Sequence, residues 1–410
     1  MIRTMLRAAL AGLFLALCAP MALAQGTIKI AVLGPMAFPQ GKNHWNGAEM
    51  ARDEINKAGG INVGGKKMQV ELIRADTNEL QSVPDATNAM ERVITRDKAD
   101  FVIGGFRSEA VLAMQEVAMD YKKLFLGCGA ADAKLGDHVA ENYGRYKYWF
   151  RVTPTKSPDL FRTLMAVLNS IAGQVRTSTK REHVKVALVA EKVAWTEGIV
   201  KGIQATLPKM NMEIVGTWQP SPLATDVNAE LAAIERADAD IVFTALSGPV
   251  GITLARQMGE RNMKAVAFGI NVEGQKDEFW KASAGKANFV STLDTYAEVE
   301  ITPKTIPFVK AFKQRYNESP TYNAATYDAV MLLKDMIEQE RTTDADKLVA
   351  AIEKSQTVGT GAVATFDKKH DLVWEIGKTA GIAVQWQDGK KVPFWPPQIK
   401  GMQPFKMPGR

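Results

Sequence analysis

Ile28-Lys29-Ile30-Ala31-Val32-Leu33-Gly34-Pro35 is the stretch on which the fold turns. A short apolar run broken only by Lys29 reads as a buried strand, and it stops at Gly34-Pro35 because proline has no amide with which to extend a ladder. A polar loop follows. Then Trp45, Ala48, Ala51 and Ile55 recur at helical spacing, and Gly59-Gly60 closes that helix with residues that accept the left-handed conformation. The alternation continues. Residues 68–73 read as a strand, and Ala86, Ala89, Met90, Val93 and Ile94 as one helix face. Residues 101–103 read as a third strand and 124–126 as a fourth. Between those two, Ser108 opens a helix whose inner face is Val111, Met114, Val117 and Ala118. Strand and helix in strict alternation argue for a parallel sheet built from strand-helix-strand units.

A second cycle begins after the aromatic segment at 146–150. Its strands are expected at 184–189, 213–218, 241–244 and 265–268, with helices near 157–172, 196–207, 227–237 and 249–261. Two doubly wound α/β units in tandem account for this pattern. The last third carries helices near 304–316, 322–339 and 344–354 and a strand at 381–386. Prolines in Val392-Pro393-Phe394-Trp395-Pro396-Pro397 exclude a helix or a central strand there, so the tail reads as an extended strap.

The first 24 residues match a cleavable export signal: Arg3 and Arg7, an apolar run over 8–19, then Ala22-Leu23-Ala24. That apolar run is too short to span a bilayer, which takes roughly 20 residues. Leu17 precedes Cys18 where a lipid-modified signal carries a small residue, so the expectation is a protein released by the cell's inner membrane and not lipid-anchored. Without Arg3 and Arg7 the chain holds 49 basic against 45 acidic residues, with no basic block of the kind that nucleic acid selects. Cys128 is the sole remaining cysteine, so packing and not a disulfide must stabilise the fold; in Leu126-Gly127-Cys128-Gly129 it reads as a small buried residue.

With these elements in place, the chain resembles the type I periplasmic solute-binding proteins of the branched-chain amino acid transporter group. The resemblance rests on the first strand, on Asn46-Gly47-Ala48-Glu49 followed by Asp53-Glu54-Ile55-Asn56-Lys57-Ala58-Gly59-Gly60-Ile61, and on Val102-Ile103-Gly104-Gly105 leading to Ser108. Phe150-Arg151, Trp195-Thr196-Glu197-Gly198, Tyr327-Asp328-Ala329, and Gln385-Trp386 with Gly389-Lys390 continue it in order. It implies two Rossmann-like lobes joined by three crossover strands, with a small ligand in the cleft between them. The first lobe would take 27–149 plus 275–355, the second 150–274 plus 356–400, leaving 401–410 as a tail. It also implies a periplasmic protein, expected as a monomer without a cofactor, that delivers its ligand to the membrane permease subunits of an ABC transporter. Doubly wound sheets bind ligands beyond the carboxyl ends of their strands, which points to the same cleft.

Candidate ligand contacts lie at those ends. Ser108, after a strand and at a helix start, reads either as a helix cap or as a carboxylate contact, the role the resemblance assigns it. Arg107 is a solvated loop residue or a second clamp on that carboxylate. Ala130 matches a family position that offers a carbonyl to an amino-acid ligand, but Ala131 stands where the family has a threonine, so one hydrogen bond to an ammonium is missing. Asp132 beside it reads as a turn residue or as the substitute partner. Trp195 replaces the usual tyrosine and suits a larger or more apolar ligand, or core packing. Glu273, with Asn271 as its competitor in register, is near where the family places an ammonium partner. Phe38 and Trp45, in an aromatic and polar loop with Gln40 and His44, and Phe150, among Tyr146, Tyr148 and Trp149, complete the set. The expected ligand is an apolar amino acid or, given Ala131, an aromatic or aliphatic acid.

An enzyme finds little support. His44, His138, His183 and His370 are scattered without zinc-ligand spacing, and neither a Gly-x-Ser-x-Gly elbow nor a Gly-x-Gly-x-x-Gly fingerprint occurs. A ligand-sensing receptor module shares the fold but is usually tethered to a membrane partner.

Overall fold

The computed structural model describes residues 26–409, so the expected export signal lies outside the described residues. β1 (Thr27–Gly34), β2 (Ile61–Val63), β3 (Lys66–Asp76), β4 (Phe101–Gly104), β5 (Phe125–Gly127) and β6 (Trp149–Arg151) form one sheet in the order β2-β3-β1-β4-β5-β6. All neighbours are parallel except the β2–β3 hairpin. Helices Pro39–Lys57, Val83–Thr95, Ser108–Asp120, Thr326–Glu340 and Ala345–Ile352 bury their apolar faces against it in a single core. The helix Val83–Thr95 buries the five residues of the expected stripe.

β7 (Val184–Ala190), β8 (Met212–Trp218), β9 (Ile241–Leu246) and β10 (Val266–Asn271) form a second, wholly parallel sheet in the order β10-β9-β7-β8. Its two faces carry separate cores. Leu164, Leu168, Ile171 and Ile203 from helices Ser157–Thr179 and Ala194–Thr206 cover one; Leu231, Ile234, Val250 and Leu254 from Asn228–Arg236 and Val250–Glu260 cover the other. A parallel bridge from Ala267 to Val290 extends this sheet toward β11 (Ser291–Asp294). After the small hairpin β12 (Thr357–Val358) and β13 (Val363–Ala364), β14 (Ile382–Gln387) and β15 (Lys390–Trp395) pair antiparallel in the order β11-β14-β15.

The chain therefore passes between the two packed units three times: after β6, after β11, and in the stretch before β14. Packing moves two of the expected boundaries. Phe279, Ala287 and Val290 lie in a core of the second sheet, so the second unit runs past 275. His370 stacks on Phe150 and Asp371 pairs with Arg151, so the first unit holds the chain well beyond 355.

Two further expectations change. The polar loop after β1 is much shorter than its sequence suggests, because Pro39 opens the helix with its fixed φ and Gln40, Asn43 and His44 are buried in the first turns. The tail is not a bare strap: Val392 and Pro393 belong to β15, an edge strand that tolerates proline's missing donor, and the Pro393 carbonyl accepts from the Gln403 amide at 2.8 Å. Gly47 in the first helix allows a close approach, since a Cβ there would meet the Ala324 carbonyl oxygen at 2.2 Å.

Candidate functional site

Strand order locates the crevice in each sheet. In the first, the connections diverge between β1 and β4; in the second, between β7 and β9. Ligands of doubly wound sheets sit outside the strand ends at these points. The segments involved are Gly34 to Phe38, Gly105 to Ser108, Glu191 to Trp195, and Ser247 to Gly248.

At β4, Gly104 and Gly105 both have positive φ and turn the chain sharply into the helix Ser108–Asp120. The turn is held from below by Glu79. Its carboxylate accepts from the Phe106 amide (3.0 Å), the Arg107 amide (2.7 Å) and the Thr77 hydroxyl (2.8 Å), and it is almost fully buried. Burial pushes the Glu79 carboxyl up to about 7 against the pull of these donors. The Tyr322 hydroxyl is also pushed up, by its own burial and then by the nearby Glu79 charge.

Ser108 is the first residue of its helix, and the N-cap position belongs to Arg107, whose side chain makes no cap bond. The Ser108 hydroxyl instead accepts from the Asp132 amide at 3.3 Å, tying the β4 turn to the β5 loop. The first helical bond runs from the Val111 amide to the Arg107 carbonyl, so the amides of Ser108, Glu109 and Ala110 have no acceptor within the helix. Arg107 donates to the Leu80 carbonyl at 3.3 Å and forms an ion pair with Glu109.

The β5 loop is clamped from behind. Arg151, at the end of β6, donates to the Ala130 carbonyl, to the Asp132 carbonyl (2.7 Å) and to Asp371 (2.6 Å), and both charged side chains are fully buried. The Ala131 carbonyl accepts from the Ser157 amide and hydroxyl, each at 2.7 Å. Ala130 is buried, and Ala131 presents only a methyl group. Phe150 lies in the core, stacked on His370 with ring centroids 3.9 Å apart, and Trp149 is equally buried.

In the second unit, Glu191 follows β7 and is fully buried. It accepts from the Trp195 indole (3.1 Å), the Ser247 hydroxyl and the Gly248 amide (3.0 Å), joining both sides of the crevice. Trp195 stays half-buried. Asn271 is buried and spent on structure: its Nδ2 donates to the Gly251 carbonyl (3.2 Å) and its Oδ1 accepts from the Gly274 amide (3.3 Å). Glu273 forms an ion pair with Lys276 at 2.7 Å, both side chains being less than one fifth exposed.

On the β1 side, Phe38 precedes the helix half-buried, whereas Trp45 packs beneath the Arg74 guanidinium, 5.7 Å from its ring centroid. His44 is fully buried, its Nε2 3.0 Å from both the Cys128 carbonyl oxygen and Asn323 Nδ2. Burial lowers the His44 imidazole to about 4. Desolvation keeps Cys128 a neutral thiol.

Of the residues singled out in the sequence, Ser108, Arg107, Ala130 and Ala131 thus meet at one crevice and Trp195 stands at the other. Glu273 and Asn271 lie at the end of β10, next to β9. Phe150 and Trp45 are packing residues. Glu79, Arg151 and Glu191 were missed as site builders; each is a charge at a strand end or in the loop just past one, which is the only trace they leave in sequence. No cluster of metal-ligating side chains occurs among the described residues.

The family model described as "Periplasmic binding protein" matches residues 27–390. The chain belongs to the periplasmic binding protein family. Among curated relatives of this periplasmic binding protein, Leu/Ile/Val-binding protein homolog 7 of Brucella abortus is 22% identical over 393 residues, covering 93% of this chain and 94% of that one. Leu/Ile/Val-binding protein BraC3 of Rhizobium johnstonii is 28% identical over 383 residues, covering 87% and 94%. The fold is similar to that of LivJ, the branched-chain amino acid transporter substrate-binding protein of Streptococcus pneumoniae solved in complex with isoleucine (23% identity, TM-score 0.73, 89% of this chain and 97% of that one). A solute-binding protein of an ABC transporter from R. palustris, solved with benzoate, is similar over 90% and 95% of the two chains (20% identity, TM-score 0.70). The two lobes of this periplasmic binding protein are accordingly of type I, with doubly wound sheets and three crossings.

Proposed function

We propose that this periplasmic binding protein is the substrate-binding component of an ABC importer, capturing a small carboxylate-bearing solute between its lobes and delivering it to permease subunits in the membrane. The observation that carries the reading is the β4 turn. There Ser108 and the three amides that open its helix stand at the crevice of the first sheet, a ready partner for an anion. Isoleucine and benzoate, held by two solved neighbours, share a carboxylate and an apolar body and little else. Phe38 on the first lobe and Trp195 on the second suit the apolar body. The lobes are taken as residues 27–151 with 295–372, and 157–294 with 380–400, hinged at the crossings and closing over the solute. Export by the N-terminal signal and release as a monomer belong to the same reading.

The test is a thermal-shift screen of the protein lacking residues 1–24 against amino acids and organic acids. A ligand at 100 times its Kd adds about 2.7 kcal/mol to the folded state. Ser108→Ala should then weaken the best hit on the order of tenfold or more, the worth of a hydrogen bond to a charged group. No shift with any carboxylate defeats the reading, and unchanged affinity in Ser108→Ala removes Ser108 from the site.

A further inference from the structure

We infer that the solute is a carboxylate without an α-ammonium group, an apolar aliphatic or aromatic acid and not an amino acid; this rests on the carboxylate-binding reading above. An ammonium brings a full positive charge and three N–H donors, and inside a closed cleft each donor needs an acceptor. Most acceptors around the crevice already hold a named donor, the Asp132 carboxylate among them through the Lys134 amide (2.9 Å). On the first lobe, the Ala130 and Asp132 carbonyls accept from one buried guanidinium, that of Arg151, and the Ala131 carbonyl accepts twice from Ser157. A ligand ammonium at this loop would compete with a cation fixed in place by Asp371, and the side chain at 131 is a methyl that accepts nothing.

The second lobe repeats the pattern. Both oxygens of Glu191 are taken up by Trp195, Ser247 and Gly248, so its charge holds the crevice walls together. Glu273 is neutralised by Lys276, and a ligand ammonium could engage it only by leaving that largely covered lysine without its partner. The Asn271 side-chain oxygen, Oδ1, accepts from the Gly274 amide. What the crevice offers instead is donors at the Ser108 helix start and half-buried rings at Phe38 and Trp195. That arrangement fits an anion joined to an apolar body.

The experiment uses matched pairs that differ only in the ammonium: 4-methylpentanoate against L-leucine, and 3-phenylpropanoate against L-phenylalanine, each titrated calorimetrically into the mature chain. 4-Methylpentanamide serves as the uncharged control. The expected result is that an acid binds and its amino acid binds weaker by on the order of 100-fold, the effect of desolvating a charge without partners. If either amino acid binds as tightly as its acid, the inference is overturned while carboxylate binding stands. If the amide binds as tightly as the acid, or if no compound of either pair binds, the carboxylate reading itself falls and the inference with it.

Discussion

Arg151 has no water to solvate its charge; its stability depends on Asp371 and on two carbonyls of the β5 loop. A buried ion pair contributes little net stability compared with an apolar pair, but breaking it strands a charge at a cost of about 3–5 kcal/mol. Arg151→Met should therefore lower the free energy of unfolding by about that amount in a urea titration, because the buried Asp371 would then be compensated only in part, by Lys156 at 3.5 Å. A loss below about 1 kcal/mol would mean that the loop does not depend on the guanidinium. In the sequence Arg151 appears only as part of the Phe150-Arg151 pair at a strand end, with nothing to show that its charge is buried. Its partner Asp371 is 220 residues away, and only the second crossing of the chain, after β11, brings them together. Glu79 and Glu191 were hidden for the same reason: their donors come from other strands' turns. Ser108 was legible because the groups that define it, a strand end and a helix start, are its immediate neighbours in sequence.

Elements read well wherever one face is apolar and local, as in the helix Val83–Thr95 or the strand β1. They were lost where burial comes from a distant partner: β11 is Ser-Thr-Leu-Asp, and its pairing with β14 and its bridge to β10 bury residues that no hydrophobic pattern would flag. One contact between elements has a direct bearing on closure. Asp277, just beyond β10 and next to Phe279 of the second unit, accepts from the Ser319 amide (2.7 Å) and hydroxyl (2.9 Å). Ser319 belongs to the first unit, beside Glu318, whose carboxylate is held by Asn43 (3.3 Å) and Asn46 (3.1 Å) of the helix Pro39–Lys57. Burial raises the Glu318 carboxyl, and the Glu278 and Asp277 charges raise it further, so like charges oppose the contact that Ser319 makes. Two hydrogen bonds to a carboxylate that join the two units favour their contact by about 1–3 kcal/mol. Asp277→Ala should thus speed ligand dissociation about tenfold in stopped-flow displacement while leaving the urea midpoint nearly unchanged. An unaltered dissociation rate would show that this contact does not gate release.

At the scale of the whole molecule, three buried groups on the first unit link its stability to pH, and they pull in opposite directions. His44 titrates near 4 against an ordinary 6.5, so the unfolded chain takes up a proton that the folded one refuses, and stability is lost as pH falls from 6.5 toward 4. Glu79 titrates near 7 against 4.5, and Asp328, buried against Thr360, near 6 against 3.8. Each keeps a proton that the unfolded chain has released, so their contribution is complete below the ordinary value and is lost as pH rises to the folded one. Between 6 and 6.5 the slopes of His44 and Glu79 cancel, and from 6.5 to 7 Glu79 alone remains. Replacing Glu79 with glutamine isolates its share. The amide oxygen can accept from Phe106 and Arg107 and the amide nitrogen can donate to Thr77, so the turn keeps its bonds while the titration is removed. Relative to the natural chain, Glu79→Gln should gain stability progressively from pH 4.5 to pH 7, by about 3 kcal/mol in all, and then level off. Urea unfolding at pH 5, 6 and 7.5 would measure it. A difference between the two proteins that stays constant across those pH values would mean that Glu79 is ionised throughout, held so by its three donors, and that burial does not govern its charge.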